Sequence, residues 1–112
     1  MSQSKLVALI YAFHTKAKAG QAYDAIRNCI YTHECSLCAY RYWTNLPEEQ
    51  GAWQVLVTGE EATFTLKEHM THVLIQFGGR ATTLPSEMLD VFYQRHRVKM
   101  AKKQGWQEQS YE

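Results

Sequence analysis

The sequence predicts an α+β fold: a small antiparallel sheet, helices packed against it, and one further helix at the C-terminal end. Three observations predict it. A run that is apolar on both faces near the start reads as a central strand. Two alternating, aromatic-rich runs around a polar turn read as a hairpin. Three further stretches carry apolar residues at helical spacing.

The run Lys5–Phe13, KLVALIYAF, is rich in Val, Ile, Tyr and Phe, the composition of a strand covered on both sides. A helix follows over about residues 16–31. Thr15 can cap its start, and Ala19, Ala22, Tyr23, Ile26, Cys29 and Ile30 share one face against Lys16, Gln21, Asp24 and Asn28 on the other. The stretch CSLCAYRYWTNL then reads as strand, LPEEQG as turn and AWQVLVTG as a second strand, which together form a hairpin.

Thr65 and Glu68 have the T-x-x-E spacing of a capping box. Leu66, His69, Met70, Val73, Leu74 and Phe77 line one helical face after it, and Gly78-Gly79 closes that helix with a left-handed cap. Ser86 opens the last helix, whose apolar face is Met88 or Leu89, Phe92, Tyr93, His96 and Met100, with Gly105 as its expected terminator. The element order is β-α-β-β-α. An edge strand around Ala81–Leu84 would complete β-α-β-β-α-β, the ferredoxin-like arrangement, with a C-terminal helix added. One domain over residues 1–105 and a tail over 106–112 follow, with no repeat, low-complexity run or linker.

Composition narrows the class. The 112 residues are 46% apolar and 21% charged, as in an ordinary globular domain. Twelve basic residues face eleven acidic ones, so net charge selects no partner. Their distribution is uneven. Residues 44–70 carry five glutamates against Lys67, while residues 80–103 carry Arg80, Arg95, Arg97, Lys99, Lys102 and Lys103 against Glu87 and Asp90. Three cysteines, an odd number, and an apolar N-terminal run of only about nine residues point to the cytoplasm rather than to a secreted disulfide scaffold. No stretch approaches the ~20 apolar residues of a membrane span, so no membrane partner is expected.

Candidate chemistry centres on THECSLC. Cys35 and Cys38 have the C-x-x-C spacing of half a zinc site, and His69 and His72 share a helical face that could complete a tetrahedral set. The opposing expectation is that Cys29 and Cys38 are small core residues and that no cofactor is bound. A dithiol redox site is disfavoured, because this C-x-x-C follows a helix, whose C-terminal dipole does not stabilise a thiolate. His14 with Lys16 and Lys18 lacks the glycines of a phosphate loop and reads as a solvated turn. His96 reads as a satisfied histidine on an apolar face. No nucleophile elbow or paired carboxylate appears, which leans against an enzyme.

The remaining signal is a surface. Arg95, Arg97, Lys99, Lys102 and Lys103 cluster on the last helix, and Arg80 and Trp106 add an interface-prone arginine and tryptophan. Tyr40, Tyr42, Trp43 and Trp53 on the hairpin could stack unpaired bases, although the RNP strand signature is absent. The sequence therefore predicts a small protein-binding module, an inhibitor, adaptor or regulator, that could also form a homodimer. The alternative is a zinc-stabilised or nucleic-acid-binding domain using Cys35, Cys38, His69, His72 and the basic helix.

Overall fold

A computed structural model describes residues 5–33, 36–44, 51–64 and 66–109, with side chains as far as residue 102. The elements are β1 (Leu6–Phe13), α1 (Lys16–His33), β2 (Cys38–Trp43), β3 (Trp53–Glu60), α2 (Lys67–Gln76), β4 (Arg80–Ala81) and α3 (Ser86–Gln109), with a 3-10 turn at Glu61–Thr63. The sheet order is β2-β3-β1-β4 and every pairing is antiparallel. This is the ferredoxin-like order, with α3 added after it.

Strand alternation assigns each side chain to a face. In β1, Leu9, Tyr11 and Phe13 join Ala39, Val55 and Val57 beneath α1 and α2. From the helices, Ala19, Ala22, Ile26, Met70 and Leu74 complete that core, all five fully enclosed. Each large aliphatic side chain buried there contributes about 1.5–3 kcal/mol. The intervening residues Ile10, Cys38, Tyr40 and Leu56 point the other way and meet Phe92 of α3. The sheet is thus a three-layer centre, which explains why β1 and β3 are apolar on both sides.

The helix ends follow local chemistry. Thr15 caps α1, its Oγ1 accepting from the Lys18 amide at 3.1 Å. The end of α2 is a Schellman motif. Gly78 at φ 89° donates to the Ile75 carbonyl, and Gly79 donates to that of Leu74. Gly79 also lies under Phe13, whose ring leaves no room for a Cβ.

Three details depart from expectation. The N-cap of α2 is Leu66, at φ 61° and with no side-chain cap, while Thr65 lies outside the described residues. Leu66 packs against the core, so this helix entry is held by apolar burial. The edge strand is shorter than expected and one residue earlier, Arg80–Ala81. α3 continues through Gly105 to Gln109. A single glycine costs a helix only about 1 kcal/mol, and no proline follows to stop it.

Candidate functional site

Phe92 anchors α3 to the sheet. Its ring meets Tyr40 at 5.2 Å and Tyr42 at 5.7 Å between centroids, the latter edge to face. One turn further, His96 is only 3% exposed, and its Nδ1 lies 2.9 Å from the fully buried Oγ1 of Thr58 on β3. The hydroxyl donates when the imidazole carries its proton on Nε2. Burial lowers the basicity of His96. Glu60 opposes that shift, and Arg97 and Lys99 reinforce it. His96 is therefore the satisfied, buried histidine that its helical position suggested.

Tyr40 is the second polar group under α3. Its hydroxyl is enclosed near Cys38 and Thr58 and reaches no partner with good hydrogen-bond geometry among the described residues. Burial pushes its ionisation far up. Cys38 adds to the shift, while Thr58 and Arg95 pull against it. Beside this residue the surface opens into a shallow groove of about 350 Å³, lined by Tyr40, Gln94, Arg95, Val98 and Lys99. The ammonium of Lys99 stands 4.7 Å above the Tyr40 ring, and the Arg95 guanidinium 5.5 Å from the Phe92 ring. Val91 and Val98 are 45% and 43% exposed on the same helix.

The basic cluster is thus divided. Arg95 and Lys99 share the groove, and the spacing of Lys102 continues their stripe. Arg97, about 200° around the helix from Arg95, lies on the opposite flank. Arg80 is on β4, at the far edge of the sheet from the groove. The side chains of Lys103 and Trp106 lie outside the described residues.

The proposed zinc ligands separate as well. Cys38 is buried against Leu56 and Phe92 on the α3 side. His69 and His72 are exposed on α2, which packs on the other side of the sheet. A site joining Cys38 to both histidines does not fit this placement, because they lie on opposite faces of the sheet. Cys35 lies outside the described residues. Among the described residues, no three of His, Cys, Asp and Glu gather closely enough to hold a metal.

The hairpin aromatics are engaged in packing. Tyr40 and Tyr42 lie under Phe92, and Trp43 meets Trp53 edge to face at 5.3 Å. His14 is exposed beside exposed Lys16 and Lys18, as expected of a solvated turn.

Sequence reasoning missed two arrangements. The Thr58–His96 bond joins residues 38 apart, and no local pattern signals it. The second is a cation cluster on the α1 side of β2, where Arg41 lies 4.9 Å and Arg27 5.6 Å from the ring centroid of Tyr23. Its one sequence trace is the i, i+4 spacing of Tyr23 and Arg27. Compared with protein-family models, with curated proteins and with solved structures, the chain matches none of them.

Proposed function

We propose that this chain is a protein-binding module, an inhibitor, adaptor or regulator, that meets its partner along the β2-side flank of α3. The observation that carries the reading is the groove. An aromatic floor, an exposed valine and two cations held over aromatic rings form a surface suited to an acidic, partly apolar partner. The cations lie against aromatic rings at an open surface, which supports binding rather than catalysis. The odd cysteine count supports a cytoplasmic setting. Among the described residues, no helix is long and apolar enough to cross a membrane.

The test is Arg95→Glu combined with Lys99→Glu. Proteins retained from extract by the wild type are expected to drop away from the variant, quantified by mass spectrometry, while the melting temperature holds. Retention of every partner at wild-type levels would sink the reading. A single-stranded oligonucleotide run in parallel addresses the alternative: binding that collapses as salt rises would favour nucleic acid. Native mass spectrometry of the same sample reports subunit number and any bound metal, the readouts for a homodimer and for zinc.

A further inference from the structure

The two edges of the sheet are finished differently. β4 is two residues long. After it the chain stays close through the Thr82 amide, which donates to the Ile10 carbonyl, and then turns away at Pro85. That edge is blunted in the manner proteins use to avoid strand addition. β2 is not blunted. It runs six residues in unbroken register with β3, from Cys38 opposite Thr58 to Trp43 opposite Trp53, with no bulge and no proline. Among the described residues no strand pairs with its outer side.

Both flanks of this edge are cationic. On the α3 face lie Arg95 and Lys99, with Tyr40 of β2 as the groove floor. On the α1 face lies Arg41 of β2, stacked with Arg27 about Tyr23. α1 packs most closely on β2, so this cluster belongs to the same edge. Aromatic rings hold these long side chains, which lowers the entropy lost when an acid pairs with them.

We propose that residues 39–43 are a docking seam for an extended acidic segment of a partner protein, added to the sheet as a fifth strand. The added strand would lie about 4.8 Å outside β2, with successive side chains on opposite faces. One set would reach Arg95 and Lys99, the other Arg41 and Arg27. Main-chain hydrogen bonds supply affinity, and the two cationic flanks select acids on both faces of the segment, so neighbouring positions of opposite parity are both favoured as acids. A second copy of this chain is the wrong occupant. Symmetric pairing of β2 with itself would set Arg27, Arg41, Arg95 and Lys99 against their own duplicates. The inference rests on the protein-binding reading and adds to it the conformation and charge pattern of the bound segment.

The test is selection from a displayed library of random nine-residue peptides against the full chain, followed by synthesis of the best binder. Acidic residues are expected at neighbouring positions, on both faces of the bound strand. N-methylation of alternate backbone amides in one register is expected to weaken binding about tenfold or more, and in the other register to leave it unchanged. Arg41→Glu with Lys99→Glu is expected to weaken it at least as much without moving the melting temperature. Arg41→Gln with Lys99→Gln serves the same purpose should charge reversal disturb the fold.

Acids at helical spacing, or indifference to N-methylation in both registers, would overturn strand addition while leaving the basic flank as a binding surface. Binders without acid enrichment, or no binders at all, would overturn both. In that case Arg41 would be an edge guard against unwanted pairing.

Discussion

The two faces of the sheet are built from the same strands and yet differ in kind. Under α1 and α2 the buried layer is largely apolar, with Tyr11, Phe13, Ile26, Val55, Val57, Met70 and Leu74 in one continuous cluster and the enclosed Trp53 Nε1 at its margin. Under α3 the apolar part is smaller, and it is mixed with Thr58, His96, Gln54 and the enclosed Tyr40 hydroxyl. The first face is held by area and volume. The second is held by Phe92, by the half-buried Leu84, Met88, Leu89 and Met100 around it, and by polar groups whose partners must be in place. The difference predicts that the βαββαβ unit carries most of the stability and that α3 detaches first.

The strongest way to break this contrast is to cut into each face. Leu74→Ala opens a hole in the apolar layer and is expected to cost about 2–5 kcal/mol, read from denaturant unfolding. Phe92→Ala is expected to cost less, about 1–3 kcal/mol, because α3 can detach while the rest remains folded. Hydrogen exchange should then speed up along α3 and β2 but not in β1 or α1. Equal losses, or uniform exchange, would show that both faces fold as one unit.

Thr58→Val tests the polar contact. It strands His96 in a buried site and is expected to cost about 1–3 kcal/mol. Adding His96→Leu should restore part of that loss, because two apolar partners leave nothing unsatisfied.

Acidification probes the same bond more gently. Folding holds the basicity of His96 below its ordinary value of 6.5, so the unfolded chain takes up this proton first. The contribution is complete above about pH 6.5 and declines as the pH falls through that value toward the lower folded one. Melting curves between pH 8 and 5 should show the loss, and His96→Gln should flatten the part due to this group. The smallest effect is expected from Arg95→Glu with Lys99→Glu, within about 0.5 kcal/mol, because both side chains are exposed.

What the sequence disclosed follows the same division. Periodicity placed β1, α1, the hairpin and the buried faces of α2 and α3, since each is a local pattern with a period of 2 or 3.6. The Gly78-Gly79 stop was equally local. The end of α3 was misread because Gly105 weakens a helix without forbidding it. The start of α2 lies one residue later than the spacing suggested, at Leu66, which packs on the core at a φ its side chain disfavours.

Sites made across the sheet were the least visible. Cys38 and the α2 histidines have suggestive spacing on paper, but strand parity puts Cys38 on the α3 face. His96 was recognisable as a core histidine, while its partner Thr58 was not, since that pairing depends on how α3 crosses β3. The division of the basic residues among a groove, an opposite flank and a distant strand is likewise a product of topology.

The central pairing of β1 with β3 also has a consequence in time. Leu6 pairs with Glu60 and Phe13 with Trp53, so β1 leaves the ribosome well before its partner exists. At typical elongation rates of about 5–20 residues per second, the gap of roughly fifty residues lasts several seconds. Through that interval a strand apolar on both faces, LVALIYAF, has no sheet to enter. An unpaired apolar strand is prone to aggregate, so the early folding of this chain is governed by how long β1 waits for β3.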